Sequence, residues 1–285
     1  MTAKRFCRLK QREFLLMLYF VSTPIGNLAD MTYRGVAVLK EVDVIACEDT
    51  RHTLPLLNRY DIKKQLVSYQ KFNEAAASEK IIEMLKCGKT VAVVSDAGTP
   101  LLSDPGAYLV KALLRENLPF TLVPGANAIL PALALSGLKT DRFSFIGFLP
   151  EKNSDCESLL ASYEALPATL IFYCAPHDLK KTVARLFTAL GDRKAVAVKE
   201  LTKLHEARYE FMLSAFPEID ERGEFVILVE GGEGKKELSA LPVEEHIALY
   251  LSEGLSKMEA IKRVAKERGV PKSSLYKYTI EKSEE

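Results

Sequence analysis

The sequence predicts an α/β protein in two lobes, with a mostly parallel sheet in the first lobe, an α+β arrangement in the second and a small helical region towards the C-terminus. Three observations predict it. In the first half, short apolar runs end repeatedly in loops rich in Pro and Gly and then give way to helical patterns, the rhythm of units that build parallel sheets. In the second half the order becomes strand, helix, strand, strand, strand, which suits a mainly antiparallel sheet. The chain has 285 residues, the length of about two ordinary domains, and its 48% hydrophobic content is enough for packed cores. The divisions that follow are a basic extension over 1–16, an α/β domain over 17–147, an α+β domain over 148–240 and a helical region over 241–285.

Leu18 to Ser22 reads as the first core strand, opening into Ser22-Thr23-Pro24-Ile25-Gly26-Asn27-Leu28 and then a helix from about Thr32. Asp43 to Cys47 reads as a second strand, followed by a polar knot, Glu48-Asp49-Thr50-Arg51-His52-Thr53. Leu66 to Ser68 is a candidate third strand, and Glu74 to Lys86 has helical spacing with Ile81, Ile82 and Leu85 on one face. The β-branched run Thr90 to Val94 predicts a buried strand, followed by a helix over about Pro105 to Glu116 with Asp104 as its cap. Phe120 to Val123 is a further strand, ending in Pro124-Gly125-Ala126-Asn127-Ala128 and a helix of small residues to Ser136.

Phe143 to Ile146 alternates, and the chain then passes to a helix around Cys156 to Ala165, a strand over Thr169 to Tyr173 and a helix from Pro176 to Leu190. Ala195 to Val198 is a strand with Tyr209-Glu210-Phe211 as its hairpin partner, and Phe225 to Val229 is the last strong strand. Ser256 to Arg268 predicts an amphipathic helix with Met258, Ile261, Val264 and Ala265 on one face, ended by Gly269. A second short helix over about Val270 to Ile280 completes a basic pair that resembles a helix-turn-helix.

Global charge is uninformative: 39 basic residues against 38 acidic leave a net charge of +1. The five cysteines are odd in number and dispersed, which fits free thiols in a reducing, cytoplasmic compartment. The cysteines and the four histidines show no metal-ligand spacing, so no metal site is expected. Lys4, Arg5, Arg8, Lys10 and Arg12 precede the apolar run Phe14 to Val21, which is too short to span a membrane. Met17 stands directly before the first strand and is a candidate translation start.

The stretch Val94 to Gly106, VSDAGTPLLSDPG, organises the first lobe. It leaves a strand's carboxyl end, where open α/β sheets bind ligands. Gly98 and Gly106 admit positive φ or close approach of a ligand, Pro100 and Pro105 stiffen the path, and Asp96 and Asp104 supply acceptors. The GxGxxG fingerprint of dinucleotide-binding folds is absent, as is a P-loop sequence.

The segments LYFVSTPIGNL (18–28), IACEDTRHT (45–53), 94–106, Pro124-Gly125, FSFIGFLP (143–150) and LTKLHE (201–206) resemble those of the bacterial methyltransferases that modify ribose 2′-oxygens of small-subunit ribosomal RNA. These belong to the tetrapyrrole methylase superfamily, and the resemblance covers nearly the whole chain from Leu18. It implies a two-lobed fold with S-adenosylmethionine in the cleft, a homodimer, and a substrate cytidine in the decoding region of 16S rRNA within the small ribosomal subunit. Carried over by position, the cofactor contacts are Pro24, Asp96, Ala97, Gly98, Thr99, Leu102, Asn127, Ala128 and the backbone near Tyr173 and Cys174. The chain departs from the family where PGPSA becomes Pro124-Gly125-Ala126-Asn127-Ala128 and ESPHR becomes Cys174-Ala175-Pro176-His177-Asp178.

Methyl transfer from a sulfonium to a hydroxyl is an in-line displacement that gains from alignment and from a general base. The candidates for the base are Glu48, Asp49 and His52. Arg51, Lys152, His177, Lys203, His205, Lys262 and Arg263 are candidates for holding RNA phosphates. Two other functions suit the same residues: methylation of a small, tetrapyrrole-like molecule on this fold, and a non-catalytic RNA-binding assembly factor that retains the pocket.

Overall fold

The computed structural model of the chain describes residues 18–233, 241–252 and 254–279. The expected extension over 1–16 and the candidate start Met17 lie outside the described residues.

The first lobe holds five strands: β1 (Leu18–Val21), β2 (Val44–Cys47), β3 (Gln65–Ser68), β4 (Val91–Val94) and β5 (Phe120–Val123). They form one sheet in the order β3-β2-β4-β1-β5, and every pairing is parallel. Apolar residues run without a break along the central strands because both faces are covered. Leu18 and Phe20 of β1 and Val91 and Val93 of β4 face one core, against helices α3 (Glu74–Lys86) and α4 (Ala107–Arg115). Tyr19, Val21, Ala92 and Val94 face the opposite core, against α1 (Tyr33–Glu41) and α2 (Thr50–Arg59). The neighbours β1 and β4 thus send their outgoing chains to helices on opposite faces of the sheet. This divergence opens a crevice at their carboxyl ends.

The second sheet has the order β6-β7-β10-β8-β9, built from β6 (Phe143–Phe148), β7 (Thr169–Cys174), β8 (Lys194–Lys199), β9 (Ala207–Met212) and β10 (Phe225–Val229). Only the β6–β7 pair is parallel; the other pairs are antiparallel, as the element order predicts. The expected 147/148 boundary falls inside β6, which pairs with β7 on both sides of an irregularity at Ile146. One face is covered by α6 (Asn153–Ala161) and α7 (Leu179–Leu190). The other is covered by α5 (Ile129–Ser136), whose Ile129, Ala132 and Leu133 pack on Val196, Val198, Val226 and Leu228. Because α5 follows β5 directly but packs on the second sheet, it fixes the two lobes about the crevice.

The C-terminal region is a separate small cluster. Helices α8 (Val243–Ser252) and α9 (Lys257–Arg268) enclose Ile247, Tyr250, Ile261, Val264 and Leu275. Ser256 and Glu259 form a reciprocal capping box at the start of α9, and Gly269 ends it in the left-handed conformation. Two expectations fail here. Met258 is 64% exposed, because the buried stripe runs through Ala260, Ile261, Val264 and Ala265 instead. The second helix of the expected helix-turn-helix is two 3₁₀ turns, Lys272–Ser274 and Tyr276–Thr279. Ser274 Oγ donates to the Pro271 carbonyl at 2.7 Å, a side-chain competitor for backbone bonding in a segment too short to nucleate a helix.

A further correction concerns the start of α4. Asp104 does not cap it: the cap is Gly106 at φ 137°, and the helix begins at Ala107. The donors left open at this end, the N–H groups of Gly106 and Tyr108, reach Glu74 Oε1 on α3 at 2.8 and 2.9 Å. A remote carboxylate performs the capping, which frees Asp104 to face the crevice.

Candidate active site

The loops after β1 and β4 are tied together across the crevice. Thr23 and Gly98 exchange both backbone hydrogen bonds, Thr23 N to Gly98 O at 2.8 Å and Gly98 N to Thr23 O at 3.1 Å. Thr23 Oγ1 donates to the Ser95 carbonyl at 3.2 Å, and Ser22 and Thr99 share a hydroxyl contact of 3.1 Å. Thr99 Oγ1 also donates to the Ala126 carbonyl at 3.2 Å, which binds in the loop after β5. Three strand-end loops, separated by up to a hundred positions in sequence, therefore form one rigid wall. The path after Gly98 is strained: Leu101 at φ 79° and Ser103 at φ 67° are left-handed without being glycine.

This wall encloses a cavity of about 420 Å³, within the range of small-ligand pockets. Of the residues predicted to contact a cofactor, Asp96, Ala97, Gly98, Thr99, Leu102, Asn127, Ala128, Tyr173 and Cys174 all line it. Pro24 lines a second chamber of about 440 Å³ instead. The two chambers share Ile25, Asp96, Ala97 and Glu224, so they adjoin one another.

The first cavity has three carboxylates on its wall, Asp96, Asp104 and Glu224, and no Lys, Arg or His. The remainder is mostly apolar, with the neutral polar side chains of Thr99, Ser103, Asn127 and Tyr173 among it and Leu102 and Phe148 at its exposed rim. Burial and then the Asp96 charge push the Asp104 carboxyl above its usual range. Burial, followed by the charges of Asp96 and Asp104, raises Glu48 in the same way. The Cys174 thiol is pushed up to about 11 by burial, so it stays protonated and packs as an apolar group.

The polar knot after β2 turns out to be the first turn of a helix. Asp49 caps α2, its Oδ1 accepting from Arg51 N at 2.8 Å, and it also holds the Arg51 guanidinium through Nε and Nη2. These Arg51 contacts lower the Asp49 carboxyl to about 2. His52 stands apart from that pair: its Nδ1 lies 3.1 Å from Asp96 Oδ2, and it lines the second chamber. Glu48 lines neither chamber.

The predicted phosphate contacts are scattered. Lys203 lines the second chamber but is engaged by Glu200 and Glu224, each at 2.9 Å. His177 is exposed beside Asp178, Lys152 pairs loosely with Asp155 at 3.5 Å, and His205 is exposed. Lys262 and Arg263 lie on α9, where Arg263 contacts Glu267 at 3.6 Å and stacks over Tyr250.

Sequence reasoning missed the far wall, formed by Val198, Leu201, Glu224, Phe225 and Val226. These residues sit in or beside strands whose apolar character reads as ordinary core, and Glu224 stands alone before β10. Apart from Leu201, which opens the LTKLHE segment, no local pattern marks them; the docking of the second sheet on the first brings them to the cavity. Among the described residues, no group of three or more His, Cys, Asp and Glu is placed to hold a metal ion.

The chain is similar to known proteins over most of its length. Residues 17–217 match the model of the tetrapyrrole (corrin/porphyrin) methylases. A protein of Halalkalibacterium halodurans named ribosomal RNA small subunit methyltransferase I is 42% identical over 279 residues, covering 94% of this chain and 96% of its own. The protein of that name from Escherichia coli O157:H7 is 40% identical over 271 residues, covering 93% and 94%. Among solved structures, uroporphyrin-III-C-methyltransferase of Thermus thermophilus superposes with a TM-score of 0.55 at 20% identity, covering 75% of this chain and 94% of that one. A diphthine synthase does so at 0.56 and 16%, covering 75% and 90%. A Thermus thermophilus uroporphyrin-III C-methyltransferase complexed with S-adenyl homocysteine gives 0.52 at 21%, covering 76% and 97%. These likenesses show the fold. The whole-length relatives and the matched family model show more: the chain belongs to the tetrapyrrole methylase family, in its ribosomal RNA small subunit methyltransferase I branch, and is a methyltransferase.

Proposed function

We propose that this protein transfers the methyl group of S-adenosylmethionine to the 2′-hydroxyl of a cytidine in the decoding region of 16S rRNA. The observation that carries the cofactor half of this reading is the charge of the first cavity. A wall with three carboxylates and no basic side chain suits a ligand of net positive charge bearing a sulfonium, and disfavours a phosphorylated one. The donor set fits the rest of that ligand: Asp96, Asn127 and the loop backbone supply acceptors, and Leu102, Leu201 and Val226 offer apolar surface.

S-Adenosylmethionine supplies an already activated methyl group. The chain's own part is to bind and orient. The bridge between Thr23 and Gly98 and the Thr99 contacts hold the wall rigid, so that alignment costs little reorganisation at the moment of reaction. Tyr173 and Phe148, with ring centroids 5.5 Å apart, form an apolar lip that limits water at the entrance.

The RNA half is supported by the whole-length relatives, which are named for small-subunit ribosomal RNA. Arg51 and Lys152, with Lys262 and Arg263 on α9, provide the positive surface, and Lys203 serves as a neutralised wall residue between its two carboxylates. We place the protein in the cytoplasm as a homodimer acting on the small ribosomal subunit. Titration calorimetry with S-adenosylmethionine, followed by methyl transfer to 30S subunits with mapping of the modified ribose, tests the reading.

A further inference from the structure

We propose that the second chamber receives a single nucleoside of the RNA and that His52, held by Asp96, takes the proton from its ribose hydroxyl. This rests on the function proposed above and assigns the acceptor side of the same site. The chamber, of about 440 Å³, has the size of a small-ligand pocket, so it admits one residue of a strand and excludes a duplex. It shares Ile25, Asp96, Ala97 and Glu224 with the first cavity, so a group seated in it faces a methyl donor where the two chambers adjoin. Its wall is mixed, with apolar Ile25, Leu28 and Leu56 beside polar Thr53, His52 and the Lys203–Glu224 pair, as a nucleoside with an apolar face and polar edges requires.

Geometry selects His52 among the acidic and basic groups nearby. Its Nδ1 lies 3.1 Å from Asp96 Oδ2, and a carboxylate accepts, so the ring proton sits on Nδ1 and the Nε2 lone pair is left to act as base. Asp96 is itself fixed, its Oδ1 accepting from Asp49 N at 3.0 Å, so the ring is oriented through backbone. The alternatives are engaged elsewhere. Asp49 is committed to Arg51 and to capping α2, Glu48 lines neither chamber, and Lys203 is an ammonium between two carboxylates. The charged groups around His52 are Asp96, Asp49 and Arg51 on its own side, with Lys203 and Glu224 on the chamber wall.

The step balances. His52 Nε2 takes the hydroxyl proton, the ribose oxygen forms a bond to the methyl carbon, and the carbon–sulfur pair departs with sulfur as a neutral thioether. The imidazolium, stabilised by Asp96, then gives its proton to water.

The test is single-turnover methyl transfer to 30S subunits at saturating S-adenosylmethionine, over a range of pH, with calorimetry of S-adenosylmethionine alongside. His52→Gln should slow transfer by about 10²–10⁴-fold, the usual effect of a lost general base, and should abolish the acidic limb of the parent's rate profile. Its affinity for S-adenosylmethionine should stay within about threefold of the parent. Leu28→Trp, which fills the chamber, should abolish transfer with the same affinity retained. Transfer by His52→Gln within about threefold of the parent, or slowed transfer with the parent's pH profile, overturns the role of His52. Undiminished transfer by Leu28→Trp overturns the assignment of the chamber. A parent protein that binds S-adenosylmethionine but methylates no RNA refutes the proposed function itself, and this inference with it.

Discussion

Gly98 is the position where one added carbon separates folding from binding. Its φ is +80°, and a Cβ built there would lie 3.3 Å from Ile25 Cγ2, 3.9 Å from the Ala126 carbonyl and 4.0 Å from Asn127 Cα. Ile25 and Asn127 line the first cavity, so the new side chain enters it. The left-handed backbone costs a non-glycine residue about 1–3 kcal/mol. That is a fraction of the roughly 5–15 kcal/mol that holds a domain, so Gly98→Ala and Gly98→Val should both fold. A cost near 2 kcal/mol should lower Tm by about 4–8 °C. Alanine should weaken S-adenosylmethionine severalfold by tightening the wall against Ile25. Valine projects two further methyl groups into the ligand's space and should weaken it by at least a hundredfold, about 2.8 kcal/mol. Titration calorimetry and thermal unfolding on the same samples read both effects. A folded Gly98→Val variant with the parent's affinity would refute the claim that this loop forms the cofactor wall.

Other outcomes follow from the same geometry. Glu74→Ala removes the carboxylate that caps α4 through Gly106 and Tyr108, and should cost about 1–2 kcal/mol and several degrees of Tm, with weaker S-adenosylmethionine binding as the 94–106 loop loosens; an unchanged Tm contradicts it. The Asp104 carboxyl, raised by burial and by Asp96, penalises the folded state once it ionises and leaves it untouched while protonated. Asp104→Asn should therefore raise Tm at neutral pH, with the gain fading as pH falls through and below the carboxylate range, while S-adenosylmethionine binding weakens; a gain that persists in acid contradicts the cause. RNA affinity should fall steeply with salt, and neutralising Arg51, Lys152, Lys262 or Arg263 should each lower the log–log slope by roughly 0.7–0.9; an affinity indifferent to salt would exclude the electrostatic surface.

The near wall of the site was legible because its information is local. Gly98, Pro100 and Asp96 follow a β-branched run, and that succession alone announces a stiff loop at the carboxyl end of a buried strand. The strand β4 and the helix α3 fall where the apolar spacing puts them. The far wall was not legible, since Glu224, Phe225 and Val226 reach the cavity only through the packing of α5 on the second sheet. The Glu74 cap escaped notice for the same reason, as it joins residues 32 apart. The polar knot was half legible. Its composition marks a strand end, but only the fold separates Asp49, spent on Arg51 and the helix cap, from His52, which turns to Asp96.

The proposed reaction moves a methyl group from S-adenosylmethionine to a ribose of small-subunit ribosomal RNA. The most direct measurement incubates the protein with radiolabelled S-adenosylmethionine and 30S subunits lacking the modification, then locates the label. Stoichiometric label on the 2′-oxygen of one cytidine in the decoding region is expected, and none with Gly98→Val. Label on a base, label in protein, or no transfer by a protein that binds S-adenosylmethionine would contradict it.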